Sequence, residues 1–455
     1  MGPGTQVMER VDEVWQNKIE NDAKGLRIAW IGSPSEGGGV GGFCRQLLQG
    51  LNRSPVDLTV FSICEPAEFD RFFRSEGKTP RHVPTRLNWS WNRWYSRNHL
   101  SVFLSSFCAR RRAYSDLIRA IVRENRRRPF DVIVQFSQSE IFEAASHLKT
   151  LPPFIIFPCV HAAGELFWHR AESAIALRSE SRMKHWCVRA VTARRAKLQA
   201  STYRKVYGVI GMSERFNELV RKDYGVDTRD QAVIYQPLPS ISKASGVSRS
   251  AGNKVRAVFV GRISVRKGIE MLIELSRRVT DLREQIEILI IGDRSFWSDY
   301  SALLKDFDAG FVRILGALPH AQVMEEMAAS DILVVPSHYE PGGIVVAEGL
   351  SAGCLVVASD EVGSAEMLEP PICLKYPHAD LHALEMVFRE AIRRVQEGGP
   401  ELRQIAHAAA ANVFSLEKTN AQLLNVLVNA AKGRRIGERA AHSPLDVRRS
   451  STTSP

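Results

Sequence analysis

The chain has 455 residues, a net charge of +11, 44% apolar side chains and 24% charged ones. That length exceeds one ordinary core and predicts two or more domains, and the composition is that of a water-facing globular protein. No stretch approaches the roughly 18–20 consecutive apolar residues of a spanning helix. The first 25 residues carry Glu9, Asp12, Glu13, Glu20 and Asp22 without an apolar run, so an ordinary signal peptide is not expected.

Taken in chain order, residues 1–23 show no clear pattern and are expected to be a flexible segment. Short runs of Val, Ile, Leu and Phe then alternate with helical patterns. In residues 24–237 the runs are Leu26–Ile31, Val56–Ile63, Val132–Phe136, Phe154–Phe157, Val206–Ile210 and Ala232–Tyr235. Residues 238–253 belong to a Pro-, Ser- and Gly-rich stretch that reads as a linker. The series resumes in residues 254–413 at Val255–Val260, Ile286–Ile291, Val312–Leu315, Ile332–Val335 and Leu355–Ala358. Nearly continuous apolar strands separated by helices are what a parallel sheet covered on both faces requires. The fold class is therefore α/β, with two Rossmann-like doubly wound domains. A helix capped by Ser415 is predicted over 414–432, and residues 433–455, basic and without periodicity, are expected to be disordered.

The seven cysteines, at 44, 64, 108, 159, 187, 354 and 373, are odd in number and never spaced C-x-x-C. Neither a disulfide framework nor a zinc site is indicated, and a cytoplasmic location is expected. The charge is uneven: residues 71–130 hold 15 basic and 3 acidic side chains together with Trp89, Trp91, Trp94 and Tyr95. Such a block suits an anionic membrane surface or a phosphorylated acceptor, and a plain solvated helix face explains it equally. Nucleic acid is not an expected partner.

Three segments carry candidate chemistry. Gly37, Gly39 and Gly42 match G-x-G-x-x-G, yet Gly32 ends the preceding strand and Ser33–Glu36 intervene, the wrong register for a dinucleotide site. What the loop does offer is Gly41 and Gly42 at the opening of a helix, with amides accessible to an anion. The second segment, VGRISVRKG, lies between a buried strand and a helix, where open α/β sheets bind ligands. Arg262 and Lys267 there suit a diphosphate. The third runs from Pro336 to Asp360 (PSHYEPGGIVVAEGLSAGCLVVASD). Its Gly342, Gly343 and Ile344 leave helix-start amides open beside Glu340 and Glu348. Carboxylates next to an anion site are explained if they accept hydrogen bonds from hydroxyls, so the expected ligand has phosphate between two polyols, a nucleotide sugar.

With these residues in place, the second half resembles the retaining glycosyltransferases of family 4. The resemblance rests on G-R-x-x-x-x-K-G at Gly261–Gly268, I-G-D at Ile291–Asp293, R-I-L-G-x-L-P at Arg313–Pro319 and E-x7-E at Glu340 and Glu348. It covers residues 255–432 well and the first half thinly, through Gly41–Gly42, His161 and G-M-S-E at Gly211–Glu214. It implies the GT-B fold, two Rossmann-like domains facing a cleft, with the last helix crossing back to the first domain. It also implies a hexosyltransferase that moves sugar from a UDP- or GDP-linked donor to an acceptor hydroxyl with retention. Arg262 and Lys267 would hold the diphosphate, Glu348 the ribose, and Glu340 the transferred sugar beside Gly342, Gly343 and Ile344. Gly41, Gly42, Gly292 and Ile314 would complete the donor site, and His161 would hydrogen-bond the sugar at the reacting centre. No Asp-x-Asp motif is evident, so neither metal nor cofactor is expected. Where the family often has Phe-Gly after the proline, this chain has Gly342–Gly343, which leaves the donor sugar open. The acceptor is unknown; a lipid-linked or phosphorylated one at the inner face of a membrane is favoured by the basic block. A sugar-nucleotide-binding protein without transferase activity and a sugar-nucleotide epimerase are the alternatives.

Overall fold

The computed structural model describes residues 14–35, 39–85, 100–137, 150–178, 181–238, 254–293, 301–307 and 310–437. Gly37, the aromatic residues 89, 91, 94 and 95, most of the expected linker and the chain beyond 437 lie outside the described residues.

The first sheet has seven parallel strands: β1 (Arg27–Ile31), β2 (Asp57–Ser62), β3 (Arg81–Pro84), β4 (Val132–Phe136), β5 (Phe154–Phe157), β6 (Gly208–Gly211) and β7 (Gln231–Val233), in the order β3-β2-β1-β4-β5-β6-β7. The second has six: β8 (Val255–Val260), β9 (Ile286–Ile291), β10 (Val312–Gly316), β11 (Ile332–Val335), β12 (Leu355–Ser359) and β13 (Cys373–Tyr376), in the order β10-β9-β8-β11-β12-β13. Every residue of β1, β4, β5, β11 and β12 is buried, the burial their apolar sequences predict. Two edge strands escaped the sequence reading. β3 is the polar tetrapeptide RHVP with exposed ends, and β13 is CLKY with Lys375 exposed. An edge strand has a neighbour on one side only and does not need a continuous apolar run.

The helices used below are α1 (Val40–Arg53), α2 (Pro66–Phe73), α3 (Leu100–Arg127), α4 (Ala162–Ala171), α5 (Ser173–Ala176), α6 (Arg182–Tyr203), α7 (Glu214–Tyr224), α8 (Ile269–Arg278), α9 (His320–Ala328), α10 (Ile344–Ser351), α11 (Leu381–Val413) and α12 (Leu416–Ala431). One face of the first sheet is covered by Phe43, Leu47 and Leu51 of α1 with Leu424 and Leu427 of α12. The other is covered by Leu117, Ile118 and Ile121 of α3 with Val220 and Tyr224 of α7. Among the described residues, no helix is long and apolar enough to cross a membrane.

The chain crosses between the sheets twice, and the crossings touch: Leu238 N donates to Phe414 O at 2.9 Å. α11 breaks at Gly399 (φ 43°) before Pro400, and α12 starts at its Ser415 cap, which accepts from Lys418 N at 3.3 Å. α12 then lies on α1, where Asn420 Nδ2 donates to Ser54 Oγ at 2.9 Å. The C-terminal helix of the second half therefore completes the core of the first.

The described parts of the two terminal segments, residues 14–23 and 433–437, are ordered where flexibility was expected. Residues 14–22 are helical, and Ile19 and Ala23 are buried in the first core. Residues 433–437 pack on the first domain, with Ile436 buried and Tyr207 OH donating to Arg434 O at 2.8 Å. Single apolar anchors in polar segments make no periodic signal, which is why the sequence reading missed them.

In each sheet the strand order reverses once, between β1 and β4 and between β8 and β11. Such reversals open a crevice at the carboxyl ends of the strands, where open α/β sheets bind ligands. The glycine loop follows β1, VGRISVRKG follows β8, and the Glu340 loop follows β11. Because α12 contributes to the first core, Leu424→Ala should destabilise that domain by about 2–5 kcal/mol. Denaturant unfolding followed by tryptophan fluorescence checks this; an unchanged midpoint would mean the crossing helix is not part of that core.

Candidate functional site

After β8 the chain makes a 3-10 turn at Val265–Lys267 and leaves it through Gly268 at φ 77°. A Cβ at Gly268 would sit 1.9 Å from Pro336 O, so only glycine allows the loops after β8 and β11 to touch. They are stitched by His338 N donating to Arg266 O at 3.0 Å. This contact places the Lys267 ammonium directly against the Glu340 carboxylate, with both side chains largely buried. Burial, then the adjacent Arg266 and Arg262 guanidiniums, push the Lys267 pKa well below the ordinary lysine value. The Glu340 carboxylate in contact with it favours the charged form. The Lys267–Glu340 pair thus sits with two guanidinium groups near its ammonium, a basic setting suited to an anion.

Glu340 is held from behind by the loop after β12. Its amide donates to Glu361 O at 3.3 Å, and its carbonyl accepts from Gly363 N at 2.9 Å. Gly343, at φ 102°, precedes the first residue of α10, and a Cβ there would sit 2.8 Å from Ser364 Oγ, which donates to Gly343 O at 2.6 Å. No side chain caps α10, so its first amides are left for a ligand. Glu348 follows on α10, buried, with Oε1 2.9 Å from His320 Nε2. The hydrogen bond to Glu348 raises the His320 pKa above the usual histidine value. His320 was missed in the sequence. Its only signal is its place immediately after the Arg313–Pro319 segment, and a lone histidine there has no partner until α9 and α10 are packed together.

Gly292, at φ 151°, has no room for a Cβ, which would lie 1.7 Å from Gly261 O. Its amide donates to Gly316 O at 2.8 Å, Gly261 N donates to Ile291 O at 3.0 Å, and Ile263 N donates to Asp293 O at 2.8 Å. Gly292 therefore clasps the ends of β8, β9 and β10. Ile314 lies on edge strand β10, 43% exposed, an open apolar surface beside that clasp.

In the first domain, Gly41 and Gly42 occupy the opening turn of α1 behind Gly39, with no side-chain cap. A Cβ at Gly41 would lie 1.9 Å from Ser35 Oγ, which explains that glycine by backbone approach alone. His161 precedes α4 and is wholly enclosed. Its Nδ1 lies 3.0 Å from Tyr339 Oη and accepts from Gly164 N at 3.2 Å, while Nε2 lies 3.1 Å from Asp223 Oδ2. The network assigns the proton to Nε2. Burial outweighs the attraction of Asp223 and lowers the His161 pKa to about 4, so the ring is neutral at neutral pH. In this arrangement the imidazole faces protein on every side rather than an open cleft. Tyr339, the residue before Glu340, covers it, and Gly164 makes room for the phenol: a Cβ there would be 2.5 Å from Tyr339 Oη.

The G-M-S-E segment is where the domains meet. Ser213 Oγ donates to Pro341 O at 2.6 Å, and Met212 lies under Gly342. Glu366 accepts from the amides of Glu214 (2.6 Å) and Arg215 (3.1 Å) at the start of α7 and from Tyr235 OH. Arg215 forms a two-pronged pair with Glu361. On the far side of the cleft Glu172 accepts from Arg266 N, and Trp168 stacks on His338 at 5.4 Å. Asp360, Glu361 and His378 bring ligand atoms within 4.8 Å of one another. Glu361 is already committed to Arg215 and Asp360 to His378, so the trio reads as part of the interdomain ion network.

Comparison with known proteins follows the same lines. Residues 240–393 match the family model described as Glycosyl transferases group 1. The GPI3 subunit of phosphatidylinositol N-acetylglucosaminyltransferase from Saccharomyces cerevisiae is 25% identical over 38% of this chain and 40% of its own. Sulfoquinovosyl transferase SQD2 from Arabidopsis thaliana is 31% identical over 27% of this chain and 22% of its own. The matched part thus spans 40% or less of these relatives. Among solved structures, Anabaena Alr3699/HepE in complex with UDP and glucose superposes with a TM-score of 0.60 at 17% identity, covering 88% of this chain and 99% of that one. WaaG, a glycosyltransferase involved in lipopolysaccharide biosynthesis, gives 0.53 at 16% identity, over 87% and 99%. The two facing parallel-sheet domains and these neighbours establish the GT-B fold.

Tyr339→Phe removes one of the two donors to His161 Nδ1 and should cost about 1 kcal/mol of stability, read from denaturant midpoints. No loss would mean that the phenol and imidazole are not bonded. The His320–Glu348 pair has a definite pH signature. A folded pKa raised above 6.5 makes its contribution complete below that pH and removes it as pH rises through the folded value. The stability advantage of wild type over His320→Gln should therefore be greatest below pH 6.5 and shrink above it. An advantage that grows with pH would contradict the pairing.

Proposed function

We propose that this chain is a retaining glycosyltransferase that moves a hexosyl group from a UDP- or GDP-linked sugar to an acceptor hydroxyl without a metal ion. The observation that carries the reading is the Lys267–Glu340 pair, with the Arg266 and Arg262 guanidiniums near Lys267, at the reversal of strand order in the second sheet. Departure of a nucleoside diphosphate leaves negative charge on the leaving group and positive charge on the sugar ring. Arg262 and Lys267 are suited to the first. Glu340 is suited to the sugar hydroxyls once the diphosphate draws Lys267 away from it. Glu348 would exchange His320 for the ribose hydroxyls. Gly342, Gly343 and Ile344 would present amides, Gly292 and Ile314 would flank the base, and Gly41–Gly42 would close on the donor from the first domain.

His161 enters this reading through Tyr339. A neutral imidazole with Nε2 protonated is a hydrogen-bond donor, and movement of Tyr339 on donor binding would open it to the sugar. The match to Glycosyl transferases group 1 over residues 240–393 supports the donor half of the proposal. The name of the yeast relative specifies a phosphatidylinositol acceptor, which supports a lipid-linked acceptor here and a place at the cytoplasmic face of a membrane.

The test is a thermal-shift panel of UDP-, GDP- and ADP-sugars followed by turnover with the best donor. A true donor at a hundred times its Kd stabilises the fold by about 2.7 kcal/mol. Because Lys267 and Glu340 are a buried pair, deleting either to alanine would strand the other's charge, so Lys267→Gln and Glu340→Gln are the cleaner variants. Each should lower transfer by at least about a hundredfold. Unchanged turnover in either variant overturns the site, and donor binding without turnover would assign the silent sugar-nucleotide-binding role instead.

A further inference from the structure

α6 carries six basic residues and no acidic one over Arg182–Tyr203. Its buried side is the row His185, Thr192 and Gln199, spaced by seven, which packs inward. Diametrically opposite, at helical spacing, run Met183, Trp186, Ala190, Arg194 and Lys197. Met183 is 68% exposed and Trp186 61%, the largest exposures of any apolar side chains on this helix. α4 packs against α6 through the stacked rings of His169 and His185, 4.1 Å apart, and carries a further exposed aromatic, Phe167, at 63%.

Large apolar side chains left in water on a cationic helix call for a partner that offers negative charge and an apolar layer together. A bilayer does: headgroup phosphates meet the cations while Trp and Met enter the acyl boundary. The contrast with α3 sharpens the choice. α3 is as basic, with Arg112, Arg119, Arg123 and Arg126 exposed, yet none of its described exposed side chains is a large apolar one. The candidate site lies beyond α4, on the side of α6 away from this face. Phe167 meets Trp168 edge-on at 5.5 Å, Trp168 stacks on His338, and His338 is two residues from Glu340.

We infer that the Met183–Trp186–Lys197 face of α6 is an interfacial surface that rests on an anionic lipid bilayer. The lipid contact stands on α6 alone and does not depend on the transferase reading above.

The test is co-sedimentation of the full chain with vesicles of phosphatidylcholine alone and of phosphatidylcholine mixed with phosphatidylglycerol. Binding is expected to the mixed vesicles and to be weak with phosphatidylcholine alone. Met183→Ser with Trp186→Ser should abolish it, and Arg189→Gln with Arg194→Gln and Lys197→Gln should lower the partition coefficient about a hundredfold. Arg112→Gln with Arg119→Gln and Arg123→Gln on α3 should leave it unchanged. All three are surface variants expected to keep the wild-type melting temperature. The inference is overturned by absence of vesicle binding, by equal binding to both vesicle types, by retention on heparin without vesicle binding, or by loss of binding in the α3 variant alone. Nucleotide-sugar thermal shifts without vesicles are independent of this outcome. A chain that binds a donor but no vesicle loses only the lipid surface, and one that binds vesicles but no donor loses only the donor site.

Discussion

Gly268 is the position on which the candidate site depends. Its positive φ and missing Cβ let the turn after β8 press against Pro336 at the end of β11, and that approach forces Lys267 against Glu340. Two opposite charges taken out of water together are tolerable; either one alone is not. The pair, and the nearness of Arg262 and Arg266 to its ammonium, go with one close contact between two loops at the reversal of strand order.

A second constraint acts between the domains. Each of the principal site residues of the second domain is held, directly or through a neighbour, by the structure around it. Glu340 is backed by the Glu361–Gly363 loop, which Arg215 and the α7 amides tie to the first domain. Tyr339 reaches across to His161, and Arg266 N is bonded by Glu172. A ligand entering here exchanges existing partners, Lys267 for Glu340 and His320 for Glu348, rather than filling vacant ones.

Much of the candidate site in the second domain was legible in the sequence because it is built from local devices. Glycines at tight approaches, a basic loop after a buried strand, and carboxylates eight residues apart on a loop and the following helix keep their spacing whatever the rest of the chain does. Eleven of the observed strands, β1, β2 and β4–β12, overlap apolar runs that stood out in the sequence, whereas β3 and β13 lie at sheet edges and did not. His161 shows the limit of the same reading. Its position before a helix was visible, but its enclosure by Tyr339, Gly164 and Asp223 joins residues up to 178 positions apart.

By itself the sequence determined the α/β class, the two-domain plan, the Ser415 cap and the placing of Arg262, Lys267 and Glu340 on loops that follow buried strands, since periodicity and short-range spacing encode these. Tertiary structure alone decided which partners those groups hold. That Lys267 pairs with Glu340, that His320 occupies Glu348, that Ile436 anchors the chain end, and that Met183 and Trp186 face outward are all consequences of packing. Charge pairing and burial depend on distance in space, and the chain brings those residues together only when the sheets, helices and crossings are assembled.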